Sequence, residues 1–247
     1  MQMTGNTILI TGGASGIGLA LAKRFLARGN TVIASGRRAD VLAAAAKAVP
    51  GLQTIRADVS TEAGRAALTE EATHRFPALN VLVNNAGIQN RPAPLTQPQD
   101  WSAHKAEIAT NLEAPVHLSM LLIPKLMKAS SATIINVTSG LAFVPIGFLP
   151  TYCLTKAALH SFSQTLRQQL RETAIGVIEI APPAVNTDLG GPGLHTFGVN
   201  VDAFADHCFV MLEQGATEFG YETSESRRVA SFQEREAAFA QMNAPRQ

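Results

Sequence analysis

The chain has 247 residues, 46% of them hydrophobic, a length and composition that suit one α/β domain with a single large core. Twenty basic residues balance nineteen acidic ones for a net charge of +1, and no basic run exceeds the pairs Arg37-Arg38 and Arg227-Arg228, which argues against nucleic acid or a membrane surface as partner. Two cysteines, Cys153 and Cys208, are too few for a secreted disulfide framework, and six scattered histidines offer no metal-ligand spacing, so a cytoplasmic protein without a metal site is expected.

No charged segment followed by an apolar signal core opens the chain, and residues 7–10 read as a buried strand that ends at glycines. Residues 16–28 then read as a helix, with Ile17, Leu21 and Phe25 at four-residue spacing and Gly29 as its stop. A second strand covers 31–34, and an alanine-rich helix over 39–49 halts before the turn pair Pro50-Gly51. A third strand and helix occupy 52–57 and 61–76, and a fourth strand 80–83. After a polar stretch over 89–100, long helical patterns run to about Lys128; their most apolar part, 118–127, holds Pro124 and Lys125 and is too short to span a bilayer. A fifth strand at 133–137, a long helix at 152–171 and a sixth strand at 176–180 follow. The spacing then predicts a loop over 186–200 and a helix over 201–214, which together form a substrate-side segment at 186–215. A short strand at 218–222, a terminal helix over 226–242 and a frayed end at 243–247 complete the chain. Continuously apolar strands alternating with helices select a doubly wound α/β fold, a parallel sheet covered on both faces, with residues 1–247 as one domain.

Thr11-Gly12-Gly13-Ala14-Ser15-Gly16-Ile17-Gly18 joins the first strand to the first helix. Glycines there let the backbone turn tightly and approach a pyrophosphate, while the helix start offers free N–H groups and a positive dipole end. An ordinary glycine-rich turn is the alternative. The second strand ends at Ser35-Gly36-Arg37-Arg38, where an NAD site usually carries an acidic residue for the ribose 2′-OH. Two arginines instead suit a 2′-phosphate, so NADP(H) is expected over NAD(H), unless both are merely solvated surface residues.

Tyr152 and Lys156 stand four residues apart at the head of the helix after the fifth strand, on one face. Ser139 lies just past that strand, Asn84-Asn85-Ala86-Gly87 ends the fourth, and Asn111 sits in the helix after it. Ligands of open α/β sheets bind at these carboxyl ends. A carbonyl that accepts a hydride needs a proton, which Tyr152 can give; the Lys156 ammonium favours the phenolate, and Ser139 can hold the substrate oxygen. Asn111 would keep a lysine-side water or backbone contact, or be a satisfied core amide. Leu141, Phe143, Phe148 and their apolar neighbours suggest a pocket for an aliphatic or aromatic ketone or aldehyde, although each could equally pack in the core. A loop histidine, His195, is more often solvated, and Cys153 receives no role. Apolar sets at Leu159, Phe162, Leu166 and Leu170, and at Val116, Leu118, Leu121 and Leu122, either cover the sheet or join subunits.

Together these motifs resemble the full signature of the short-chain dehydrogenase/reductases over about residues 4–190. The resemblance implies a Rossmann-like sheet of about seven strands, NAD(P)(H), and a catalytic tetrad of Asn111, Ser139, Tyr152 and Lys156. It implies that Gly12, Ala14, Ser15, Gly16, Ile17 and Gly18 meet the pyrophosphate, Asp58 and Val59 the adenine, and Asn85, Ala86 and Gly87 the flank of the cofactor. Pro182, Val185 and Thr187 would fall at the nicotinamide, Thr187 on its carboxamide. The run Ser139 to Phe143 and the run Ala181 to Thr187 are similar to the subgroup named for the oxidoreductase of bacterial D-alanyl-lipoteichoic acid operons, a label that says little about substrate. Two departures stand out. The family's Pro-Gly after the sixth strand is Pro182-Pro183 here, so Pro183, next to the substrate, stiffens the backbone and removes a donor. The usual C-terminal Asp-Gly-Gly is absent. A homodimer or homotetramer is expected. A nucleotide-sensing protein without turnover is the runner-up, and an epimerase or dehydratase is disfavoured by the mere 60 or so residues after Thr187.

Overall fold

The computed structural model describes residues 1–244; of the expected frayed end, 245–247 lie outside the described residues. Seven strands form one sheet: β1 Thr7–Thr11, β2 Thr31–Gly36, β3 Gln53–Arg56, β4 Leu79–Asn84, β5 Ala132–Val137, β6 Ile175–Ala181 and β7 Glu218–Gly220. All pair in parallel in the order β3-β2-β1-β4-β5-β6-β7. The order reverses between β1 and β4, which opens a crevice at the carboxyl ends of those strands.

Both sheet faces are dry because successive side chains point to opposite sides and each side meets helices. Ile8, Ile10, Val32, Val81, Val83, Ile135 and Ile180 pack with Leu21 and Phe25 of α1 Gly16–Ala27, Leu42 of α2 Ala39–Ala48, and Phe204 and Phe209 of α7 Val201–Glu213. Leu9, Ile33, Leu82, Ile134 and Val177 face the other way, onto Leu68 of α3 Glu62–Arg75, Leu118 and Leu122 of α5 Ala114–Leu126, and Leu166 of α6 Pro150–Gln169. Each fully buried Leu or Phe contributes about 1.5–3 kcal/mol. Phe25 and Phe209 meet at 4.6 Å between ring centroids and hold α1 to α7. Leu118, Leu122, Leu166 and Leu170 are therefore sheet-covering residues, Leu159 is buried, and Val116 and Leu121 remain half-buried.

Local signals set the element ends. Gly29, at φ +75°, terminates α1 in the left-handed region that a side chain resists. The Thr61 hydroxyl caps α3 by accepting from Gly64 N at 3.0 Å, and Asn200 caps α7.

One expectation gains detail and two need correcting. The helical patterns up to Lys128 resolve into α4 Trp101–Ile108, which passes through a π-helical turn, Ala109–Glu113, into α5. Pro115 has no N–H to close on the Asn111 carbonyl, so the regular ladder cannot run through this point. The last strand stops at Gly220, two residues early, because Glu222 turns to φ +47°. The terminal helix is two helices, α8 Thr223–Val229 and α9 Phe232–Met242, since Ser231 starts a fresh capping box with Glu234. Ser224 of α8 is fully buried, and its Cβ lies 2.7 Å from where a Cβ on Gly140 would stand. The C-terminal segment thus packs against the short 3₁₀ turn Gly140–Ala142 that follows β5.

Candidate active site

The glycine turn between β1 and α1 is a cradle without room for side chains. A Cβ on Gly18 would stand 2.4 Å from the Gly12 carbonyl oxygen, and one on Gly13 would stand 2.9 Å from the Ile10 oxygen. Gly12 and Gly16 adopt φ of +65° and +50°. Asn85, past the end of β4, fixes this turn by donating from Nδ2 to the Thr11 and Gly12 carbonyls at 2.9 and 3.2 Å. The Thr11 hydroxyl accepts from the backbone of both Asn85 and Ala86 at 3.0 Å. Ser15, at the N-cap of α1, makes no side-chain cap, so the first N–H groups of the helix remain for a ligand. The Ile17 side chain packs partly against the core.

Gly12, Ala14 and Ser15 form one wall of a cleft that continues past Arg37, Arg38, Asp58 and Val59 to Ala86, Gly87 and Thr110. Arg37 and Arg38 are exposed at its lip. Asp58 is turned on itself by accepting from Ser60 N and Oγ at 3.0 and 2.7 Å. Two hydroxyls in the walls, Ser35 Oγ and Thr110 Oγ1, are buried without a hydrogen-bond partner. Such groups are costly to leave unmade. The cradle, the unused helix N–H groups and the two orphaned hydroxyls fit an elongated, phosphate-bearing polar ligand such as a nicotinamide dinucleotide.

At the far end of the cleft the expected tetrad residues come together. Tyr152 and Lys156 are both buried in the first turns of α6. Lys156 Nζ lies 5.7 Å from the centre of the Tyr152 ring and donates to the Val137 carbonyl at 2.9 Å. A Cβ on Gly87 would sit 3.4 Å from Asn111 Oδ1 and 3.8 Å from Lys156 Nζ, so both groups border the same glycine. Asn111 lies on the π-helical turn; it accepts from Ile88 N and donates to Ile88 O, both at 2.8 Å, and reaches Thr155 Oγ1 at 3.4 Å. Its side chain is therefore a backbone clamp on the segment after β4. Ser139 Oγ accepts from Leu141 N at 3.1 Å, which fixes the hydroxyl at the start of the 3₁₀ turn.

Burial drives the two titrating groups toward their neutral forms. It raises the Tyr152 phenol far above its ordinary value, with the Ser139 hydroxyl drawing it back down. It lowers Lys156 to about 8, against the pull of the buried carboxylates Glu107 and Glu179. Glu107 itself is raised by burial, although its carboxylate accepts from Asn90 N at 2.9 Å.

The β6 end closes the site. Pro182 O accepts from Gly140 N at 2.8 Å, Val185 is buried and bridges to Val199, and Thr187 sits 3.3 Å from where a Gly16 Cβ would be. Leu141 and Leu189 pack against the cluster of Leu149, Tyr152 and Cys153, and Pro183 is half-buried. Phe148 is 46% exposed under the Arg91 guanidinium. Phe143 turns to other partners: its ring meets His160 at 4.8 Å and lies beneath Arg235. His195 is buried, contrary to the expectation of a solvated ring, and its Nδ1 has no partner. Glu107, His160 and Glu179 join the site beyond the residues that the motifs single out. Glu107 stands one helical turn before Asn111 on the same face, and Glu179 interrupts an apolar strand; both spacings were readable signals.

A family model described as short chain dehydrogenase matches residues 6–194. The chain is 46% identical to "Uncharacterized oxidoreductase DltE" of Bacillus subtilis, over 98% of both chains. It is 31% identical to the NADP-dependent 3-hydroxy acid dehydrogenase YdfG of Salmonella typhi, over 72% of each. Among solved structures, a short chain dehydrogenase from Burkholderia cenocepacia in complex with NADP superposes with a TM-score of 0.84 at 24% identity, covering 99% of this chain and 100% of the other.

Proposed function

The chain belongs to the short-chain dehydrogenase family, and from that premise we propose that it is an NADP(H)-preferring enzyme that interconverts a ketone or aldehyde with its alcohol. The observation that carries this reading is the meeting of Lys156 and Asn111 at Gly87, where the nucleotide cleft ends, with the Tyr152 ring 5.7 Å from the Lys156 ammonium. The bound cofactor would supply or take up the hydride at that end. Tyr152, kept protonated by burial, is the acid that hands a proton to the developing alkoxide. Ser139 holds the substrate oxygen by hydrogen bond, and the Lys156 ammonium, charged below about pH 8, lowers the cost of the phenolate left on Tyr152. Asn111 keeps the backbone at Ile88 in place, and with it Gly87.

Arg37 and Arg38 at the lip support a 2′-phosphate, and the NADP dependence of the Salmonella relative agrees. Gly12, Ala14, Ser15, Gly16, Ile17 and Gly18 would take the pyrophosphate, Asp58 and Val59 the adenine, and Asn85, Ala86, Gly87, Pro182, Val185 and Thr187 the nicotinamide half. Leu141, Phe148 and Pro183 support an apolar or aromatic substrate beside Ser139 and Tyr152; we leave Phe143 out because its ring is engaged by His160 and Arg235. Exposed Leu154 and Phe239 support a homodimer or homotetramer, which sedimentation would read directly. No helix among the described residues is long and apolar enough to cross a membrane, and two buried free thiols suit a reducing cytoplasm.

The test is nicotinamide absorbance with NADPH and a panel of ketones and aldehydes. Carbonyl-dependent oxidation of NADPH, faster than that of NADH, is the expected result. Tight NADPH binding with no turnover on any carbonyl would favour a nucleotide sensor instead.

A further inference from the structure

A row of polar side chains crosses an otherwise apolar sheet beneath α6. Asn84 of β4, Asn136 of β5, Glu179 of β6 and Glu218 of β7 are direct register partners in turn. Three of the four are buried, and Glu179 is fully so. A buried carboxylate is costly unless its oxygens are bonded, and these are. Thr138 Oγ1 donates to Glu179 Oε1 at 2.7 Å, and His160 Nδ1 lies 3.0 and 2.9 Å from the two carboxylate oxygens.

What this carboxylate touches leads to the reacting groups. Thr138 is the residue before Ser139, and His160 stands one helical turn after Lys156. Lys156 in turn holds the Val137 carbonyl. Three consecutive residues at the end of β5 are thus gripped by a lysine, by a carboxylate and, at Ser139, by the 3₁₀ turn.

We propose that Glu179, held by His160, is a positioning residue for the reaction: through Thr138 it fixes the Ser139 hydroxyl, and its buried charge faces the Lys156 ammonium. The proposal rests on the enzymatic reading above. Lys156 is faced by Glu107 from α4 and by Glu179 from β6, and these two charges oppose the effect of burial. Glu179 is faced by His160. Behind them Glu218 of β7 is tied to Arg167 of α6 and Arg228 of α8, and Arg235 of α9 also acts on His160. His160, Glu179 and Glu218 bring ligand atoms within 4.8 Å of one another. The two guanidiniums on Glu218 and the Thr138 proton on Glu179 mark the group as an ion-pair network, not a cation site.

Two variants separate the two roles. Glu179→Gln keeps the shape and removes the charge; Thr138→Val keeps the charge and removes the link to Ser139. The chain has six lysines, so the Lys156 ammonium can be followed by NMR in lysine-labelled protein without cofactor. Glu179→Gln should lower its titration midpoint by about half to one pH unit, and the alkaline limb of the rate profile should move the same way. Thr138→Val should leave the midpoint in place and lower kcat several-fold with little change in KM. A folded Glu179→Gln protein with an unmoved midpoint overturns the charge role, and a Thr138→Val protein with wild-type kcat overturns the positioning role. The midpoint is read without turnover, so absence of any carbonyl activity in the wild type would defeat the enzymatic reading and leave this measurement decisive on its own question.

Discussion

Tyr152 and Lys156 sit in the same dry pocket, and burial moves them in opposite directions: the phenol holds its proton harder and the ammonium more loosely. That leaves Tyr152 a proton donor at neutral pH. Tyr152→Phe keeps the ring and deletes the proton, so turnover should fall by about 10²–10⁴-fold while NADPH affinity, measured by fluorescence titration, stays near the wild-type value. Retained turnover would remove Tyr152 from the acid role. Strand ends and a shared helical face pointed to Ser139, Tyr152, Lys156 and Asn111 at one edge of the sheet, and the family resemblance was needed to group them as a tetrad. A backbone contact was among the expectations for Asn111, but its partner Ile88 was not legible, because the clamp joins two segments that only the folded chain brings together. The same holds for Phe143: its place in an apolar run pointed to substrate, yet an imidazole edge and a guanidinium claim its ring.

The strand–turn–helix unit at the start of the chain leaves no room for a side chain at Gly13 or Gly18. In Gly18→Ala the new methyl would collide with the Gly12 carbonyl oxygen and with Asn85 Nδ2, at 2.4 and 2.5 Å, both of which belong to the cradle. Loss of about 1–3 kcal/mol in urea unfolding, together with weaker NADPH binding, is the expected outcome; an unchanged protein would show that the cradle opens easily. The link between α6 and β6 carries a pH signature. Its Glu179 partner raises the His160 pKa above the ordinary 6.5. The pair's stabilisation is then fully present below about pH 6.5 and fades as the pH rises through the raised folded value. The stability gap between wild type and His160→Gln should accordingly be widest near pH 6 and narrow in alkaline buffer; a gap that widens with pH would reverse the assignment. Element type was readable from apolar periodicity almost throughout. The π-helical turn was not: Pro115 announces a broken ladder, but how a chain repairs it depends on packing. The division of the terminal helix is signalled in the sequence by Ser231 and Glu234, three residues apart.

Across the whole molecule, ligand binding and folding are coupled, because the cleft is built from β1, β2, β4 and the helices between them. At 100 times its Kd, NADPH adds about 2.7 kcal/mol, or roughly 5–10 °C in melting temperature for a chain of this size. Replacing Arg37 and Arg38 together by alanine should shrink the NADPH shift far more than the NADH shift; equal losses would refute their role as a phosphate clamp. The class of fold followed from alternating buried strands and helices, and the crossover rule limited its topology. The number of strands was implied by the family resemblance, but their order β3-β2-β1-β4-β5-β6-β7 came only with the fold, since periodicity does not say which buried strand neighbours which.

The contact of Ser224 with Gly140 makes the tail part of the machinery. Anyone who builds chimeras by exchanging the chain after β7 must bring a residue no larger than serine to that point and keep Gly140 bare. A bulkier pair would lever the 3₁₀ turn outward and carry the neighbouring Ser139 hydroxyl off its mark, so that a graft far from the cleft would be felt first as lost turnover.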